Sequence, residues 1–295
     1  MLRTSATMFH ISSAGAAIGT VTDACITTSL SGAFTLTVRV ADWSGEDYAK
    51  ISSLQRAMIE EAKVGLDLGA SDRVLDLGCG DGYLTRAIAR MVPRGYVAGA
   101  DPSRRMIATA HAAAAPTASG PWFVLADARL LPFGECFDLV VSFNALHWVP
   151  EQRQALSQIA AVLRPRGRAL IQVVCAGERK SLETVAMEAC RDPRWAERFK
   201  GFAAPFVHVD PADYGALASS AGLTLENLTV SDREWDYGSR SAFRQWCAVG
   251  TTAWTDRLPP ADRERFVDGL VDAYQDVVGG PGLFRFMQMR AELRR

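Results

Sequence analysis

Residues 74–83 read Val-Leu-Asp-Leu-Gly-Cys-Gly-Asp-Gly-Tyr: an apolar run carrying one acid, Asp76, passes directly into three alternating glycines, Gly78, Gly80 and Gly82. Without a Cβ, such a turn can take positive φ and bring its backbone N–H groups against a flat or charged ligand at the start of the next helix. The spacing argues against two related turns. A dinucleotide fingerprint needs its third glycine where this chain has Tyr83, and no Gly-Lys-Ser or Gly-Lys-Thr of a phosphate loop follows. Two more acids recur at comparable places. Asp101 ends the next apolar run, and Asp127 ends the one after it, in Leu125-Ala126-Asp127-Ala128. A carboxylate there can accept from ribose hydroxyls, so the glycine turn, Asp101, Asp127 and Ala128 outline a nucleoside pocket along the carboxyl edge of a sheet. A second cluster, Phe143-Asn144-Ala145-Leu146-His147-Trp148-Val149, follows the fourth apolar run and offers Asn144, His147 and Trp148 for acceptor chemistry. His147 has two readings: a base for a phenol or alcohol, or an imidazole that only bonds the backbone.

These residues must be positioned by alternating elements. Apolar runs at 73–77, 96–100, 122–126, 137–142 and 169–175 alternate with helical patterns at 83–91, 104–115 and 152–163, which predicts parallel strands joined by right-handed crossovers. The fold class is α/β, a doubly wound sheet. An amphipathic helix precedes it, with Tyr48, Ile51, Leu54, Met58 and Ile59 on one face. Residues 1–41 are rich in Ser, Thr, Ala and Gly and nearly free of charge, and read as a non-core extension to a core over 42–180. Residues 181–295 change character: helices are expected at 182–199, 213–221, 242–255 and 262–278, with strands at 223–230 and 283–289. Their tryptophans and phenylalanines suggest an apolar lid.

Composition removes other classes. The 295 residues are 48% hydrophobic and carry 32 basic against 33 acidic side chains, a net charge of -1, which leaves no basic stripe to track nucleic acid. The six cysteines contain no C-x-x-C pair and fit a reducing cytoplasm; the four histidines show no ligand spacing, so no metal is expected. No apolar stretch approaches the roughly 20 residues of a membrane-spanning helix.

The motifs Val-Leu-Asp-Leu-Gly-Cys-Gly-Asp-Gly, Gly-Ala-Asp, Ala-Asp-Ala and Leu-Arg-Pro-Arg-Gly resemble, in order, those of class I S-adenosylmethionine-dependent methyltransferases over residues 55–175. The resemblance implies S-adenosylmethionine as cofactor, with Asp76, Gly78, Gly80 and Gly82 around its methionine part, Asp101 on the ribose, Asp127 and Ala128 by the adenine, and Asn144 beside it. It also implies a Rossmann-like seven-stranded sheet whose last strand, at 283–289, is antiparallel, with residues 181–295 forming a C-terminal helical cap together with the last strands of the sheet. Arg166 departs from the pattern, standing where many relatives carry glycine. The amino-methylating enzymes of nucleic acids carry Asn or Asp followed by Pro-Pro-aromatic after the fourth strand; Asn144-Ala145-Leu146 lacks it, which disfavours base methylation.

The stretch Leu146-His147-Trp148-Val149-Pro150-Glu151-Gln152-Arg153, together with Tyr48 to Arg56, is similar to juvenile hormone acid methyltransferases and more loosely to trans-aconitate methyltransferases. Both act on carboxylic acids. By that resemblance Gln55 and Trp148 donate hydrogen bonds to the acceptor carboxylate, and Tyr48 and Trp246 lie beside the substrate. A carboxylate is already ionised at neutral pH, so orientation by neutral donors and exclusion of water can carry its methylation without a base. The expectation is a carboxyl O-methyltransferase forming methyl esters of small, lipophilic acids; the alternative is methylation of a phenol, alcohol or carbon nucleophile with His147 as base.

Overall fold

The computed structural model describes residues 53–115 and 120–295. The 1–41 extension, Tyr48 and Ile51 lie outside the described residues.

The strand β1 (Arg73–Leu77) buries Val74, Leu75 and Leu77, as a strand covered on both faces must. It pairs in parallel with β2 (Tyr96–Asp101) on one side and with β4 (Phe137–Phe143) on the other. Outside β2 lies β3 (Trp122–Leu125), and outside β4 lies β5 (Leu163–Val174), both parallel. The final strands β6 (Thr224–Asp236) and β7 (Leu283–Arg294) close an order of β3-β2-β1-β4-β5-β7-β6, with β7 antiparallel to both β5 and β6. The expected doubly wound, seven-stranded sheet with an antiparallel last strand is present. Because the chain runs outward through β1, β2 and β3 and then restarts at β4, the carboxyl ends of β1 and β4 flank the switch point where such sheets open a crevice.

Among the described residues, four helices cover the parallel strands: α1 (Ser53–Val64), α2 (Tyr83–Met91), α3 (Arg104–Ala112) and α4 (Gln152–Val162). Further along come α5 (Leu182–Ala189), α6 (Tyr214–Ser220), α7 (Arg240–Gly250), α8 (Thr252–Thr255) and α9 (Pro260–Val278). Leu54 and Met58 of α1 join a second apolar core with Val185, Phe243, Trp246, Trp254, Phe266, Tyr274, Phe284 and Phe286, so the helical cap shares its interior with α1 and the start of β7.

Several expected elements differ; β5, expected over 169–175, already begins at Leu163. The 182–199 helix ends at Ala189 and resumes only as a 3-10 turn at Ala196–Phe199, because Pro193 lacks an N–H and disfavours helix at Asp192. The 242–255 helix divides at Gly250 into α7 and α8. The strands β6 and β7 each run five or six residues beyond expectation, since their outer halves alternate with charged residues that pair across the surface, as Arg285 does with Glu234 (2.5 Å).

Candidate functional site

The glycine turn after β1 divides its work among its three glycines. Gly80 has φ +53°, and a Cβ built there would meet nothing within 4 Å, so this residue opens its backbone onto a cleft. A Cβ at Gly78 would overlap that of Ala145, which seats the turn directly against the loop after β4. At Gly82, the N-cap of α2, the space is occupied by Phe123, 2.5 Å from a Cβ position; here the glycine serves helix-on-strand packing instead of ligand approach.

The acids lie around this turn in different ways. Asp76 is 2% exposed and accepts a 2.6 Å hydrogen bond from the Thr85 hydroxyl, which ties β1 to α2 beneath the turn. Burial pushes its carboxyl up to about 7. The Asp101 side chain accepts from the Gly80 N–H (3.0 Å) through one oxygen and from the Ser103 N–H (2.9 Å) through the other, placing a carboxylate immediately behind the open glycine. Asp127 lies beyond the end of β3, in a short bridge with Leu130, and not at the strand's last position as expected. Arg129 bonds both its oxygens (2.9 and 2.6 Å) and reaches on to Glu151 (2.7 Å). Burial works against the charge of Asp127, but the bonds from Arg129 prevail and hold its carboxyl below the usual range. Ala128 is buried in the main core.

The cleft above Gly78 and Gly80 is also bounded by Gln55, Arg56, Tyr83 and Asn144. The Arg56 guanidinium lies 5.1 Å from the Tyr83 ring centre and 3.7 Å from Asp81, forming a rim. An open glycine backbone, a carboxylate behind it and a cationic, aromatic rim are the parts that a nucleoside with a charged tail requires. On this chain Gly78, Gly80 and Asp101 would hold such a cofactor.

A second cavity, of about 70 Å³, opens on the other side of Gln55 and Asn144, which line both. Asn144 takes a left-handed conformation (φ +56°), anchored by its N–H to the Gln172 carbonyl (2.7 Å) and by Gln288 to its side-chain oxygen (3.4 Å). The Gln55 side-chain oxygen is buried without a hydrogen-bond partner. His147, Trp148 and Trp246 complete the expected set in this wall. Trp148 stands edge to face with Trp254 (6.2 Å), and Trp246 packs on Phe284 (4.8 Å). The His147 ring is fully buried, its Nδ1 has no partner, and burial, aided by the nearby His208, lowers its pKa to about 3.

The structure therefore brings Gln55, Asn144, His147, Trp148 and Trp246 to one cavity and Gly78, Gly80, Gln55 and Asn144 to the adjoining cleft. Asp76 and Gly82 support the turn from behind, whereas Asp127 and Ala128 do not line the cleft. Sequence reasoning missed Arg56, Gln288 and Glu183, and treated Trp254 only as lid packing, although its indole N–H is buried without a partner in the cavity wall. Ser181-Leu182-Glu183 reads simply as a helix start, and nothing local signals that this turn faces a cavity.

A methyltransferase-domain family model matches residues 74–167, the span from β1 to the start of β5. Over 263 residues the chain is 32% identical to the trans-aconitate 2-methyltransferase of Variovorax paradoxus, covering 84% of this chain and 96% of that one. It is 31% identical over 253 residues to that of Mycobacterium tuberculosis, covering 84% and 94%. Among solved structures, the YcgJ protein of Bacillus subtilis aligns with a TM-score of 0.54 at 22% identity, covering 81% of this chain and 97% of that one. The phosphoethanolamine N-methyltransferase 2 of Haemonchus contortus, in complex with S-adenosyl-L-methionine, aligns with a TM-score of 0.53 at 16% identity, covering 84% and 56%. The chain belongs to the class I S-adenosylmethionine-dependent methyltransferases.

Proposed function

We propose that the protein is a carboxyl O-methyltransferase that forms methyl esters of small, largely apolar carboxylic acids. The observation that carries this reading is the junction of the two cavities. Gln55 and Asn144, both neutral amides, stand between cofactor cleft and acceptor cavity. A phenol or alcohol would need its proton removed, yet His147, the imidazole among the described residues of the wall, is kept neutral and weakly basic by burial, which lowers its pKa to about 3. A carboxylate needs no such help. The relatives named trans-aconitate 2-methyltransferase support a carboxyl acceptor.

When bound, S-adenosylmethionine supplies the methyl group. The backbone of Gly78 and Gly80 and the Asp101 carboxylate would hold it, with Asp76 and Gly82 fixing the turn and Asp127 and Ala128 on the side of the cleft where the adenine would lie. The Gln55 amide and the Trp148 indole orient the acceptor carboxylate at the junction, and the aromatic walls exclude water that would blunt its oxygen. Neutral donors suit this step, because a cation would stabilise the ground-state anion more than a transition state in which that charge is being neutralised. No Lys or Arg lines the acceptor cavity among the described residues, which favours a monoacid over a polyacid. Its volume lies well below the roughly 300 Å³ of drug-sized sites and favours a small one. Among the described residues no helix is long and apolar enough to cross a membrane, and the buried thiols of Cys79, Cys136, Cys175, Cys190 and Cys247 are free, which fits a cytoplasmic enzyme.

The test is mass-spectrometric detection of methyl transfer across small aliphatic, aromatic and tricarboxylic acids, each matched with an alcohol and a phenol. Methylated products confined to the acids are expected. Products only from the hydroxyl compounds would overturn the reading.

A further inference from the structure

Among the described residues, the acceptor cavity holds one acid. Glu183, in the first turn of α5, is 8% exposed and lines this cavity, but does not border the cofactor cleft as Gln55 and Asn144 do. It therefore sits away from the reacting end. Its neighbours in the wall are Leu182, Ala186, Trp246, Trp254 and Phe286, and the described lining offers no cation to neutralise it. The nearest candidate, His208 Nε2, is 3.8 Å from its oxygen, too long for a hydrogen bond, and burial lowers that imidazole to about 4, so it is uncharged at neutral pH. Burial likewise raises the Glu183 carboxyl, with its own backbone N–H and Ser181 acting in the opposite direction.

The hydrogen bonds from its own backbone N–H and from Ser181 use only part of the roughly four lone-pair sites of a carboxyl group, and the rest is costly to desolvate in an apolar wall unless something in the cavity bonds it. A purely hydrocarbon acid would bury Glu183 against methylenes and add a second acid to a site whose described lining has no cation. An acceptor carrying a hydrogen-bond donor at its far end would satisfy both demands. Resting on the carboxyl reading above, we propose that Glu183 is a specificity-determining residue that selects acids bearing a donor group, an amine or a hydroxyl, at the end remote from the carboxylate. The surrounding tryptophan and phenylalanine rings would favour an ammonium in the same place. A site built around a buried polar group rejects the analogue that cannot bond to it, so the discrimination arises as much from refusing the plain acid as from binding the substituted one.

The experiment uses three chain-matched short monocarboxylic acids ending in a methyl, a hydroxyl or an ammonium group. Binding to the full-length enzyme saturated with S-adenosylhomocysteine is measured by calorimetry, alongside kcat/KM. The wild type should prefer the hydroxyl or ammonium acid over the methyl-ended acid by about tenfold or more. Glu183→Leu should abolish or invert that preference while leaving S-adenosylhomocysteine affinity unchanged. Glu183→Gln, the conservative variant, should keep the hydroxyl preference and lose the ammonium one, which also separates the two donor types if the leucine variant folds poorly. A wild type that prefers the methyl-ended acid, or a ratio unchanged in both variants, would overturn the proposal. If no acid is bound or methylated, the carboxyl reading has failed instead; the same three end groups on a phenol series then read the Glu183 ratio independently.

Discussion

The state of His147 decides between acceptor chemistries, and it can be measured through stability. With its ring fully buried and its folded pKa lowered from 6.5 to about 3, the folded state accepts no proton there over the accessible pH range, whereas the unfolded chain does so below 6.5. The group's contribution is thus fully present above pH 6.5 and is lost as pH falls toward 3. Each unit is worth about 1.4 kcal/mol, so between pH 8 and pH 5 the wild type should lose about 2 kcal/mol that a His147→Gln variant, lacking the imidazole, does not lose. Urea unfolding of both proteins at pH 5, 6, 7 and 8 gives the difference directly, and titration of His208 largely cancels between them. The wild-type advantage should shrink by that amount on acidification, while kcat/KM on the best acid shows no rise through a pKa near 6.5 that the variant lacks. A stability difference independent of pH, or a rate rising through a pKa near 6.5 and lost in the variant, would show that His147 is accessible to protons and would return it to the role of base.

Other consequences follow from the same geometry. Removing the carboxylate in Asp101→Ala should weaken S-adenosylhomocysteine binding by roughly 1 to 3 kcal/mol in titration calorimetry, because the ribose end and the Gly80 N–H lose a charged acceptor; unchanged affinity would displace Asp101 from the cofactor. Gly82→Ala should lower the thermal midpoint by several degrees through its collision with Phe123, whereas Gly80→Ala should affect cofactor affinity more than folding; similar thermal losses in both would contradict this division. Trp148→Phe should reduce turnover on acids about tenfold or more at constant cofactor affinity, and normal turnover would remove its indole from the reaction. Arg166 holds φ +68°, so Arg166→Gly should stabilise the protein by about 1 kcal/mol in denaturant unfolding, and a loss would point to an unseen role of the side chain.

Much of the sheet was legible because buried parallel strands are written as continuous apolar runs: Val74 to Leu77 and Leu139 to Phe143 have apolar neighbours on both faces and little else to be. The cap was less legible. Its breaks depend on single residues such as Pro193 and Gly250, and the outer halves of β6 and β7 carry alternating charges that resemble a surface loop until their partner strand is known. At the site, the glycine turn could be read because its chemistry is local. Even so, the sequence did not distinguish Gly80, which faces open space, from Gly82, which faces Phe123 across the fold. Glu183 could not be read at all: its significance comes from α5 being laid beside α1 and the Asn144 loop, contacts far apart in the chain.

The central claim is that the methyl group is placed on a carboxylate oxygen. The most direct measurement supplies S-adenosylmethionine labelled in its methyl group, isolates the methylated product of the best acceptor, and treats it with mild alkali. An ester releases the label quantitatively as methanol and regenerates the acid, which is the predicted result. A label that survives alkali, as it would on a phenolic ether, an amine or a carbon, would contradict the account.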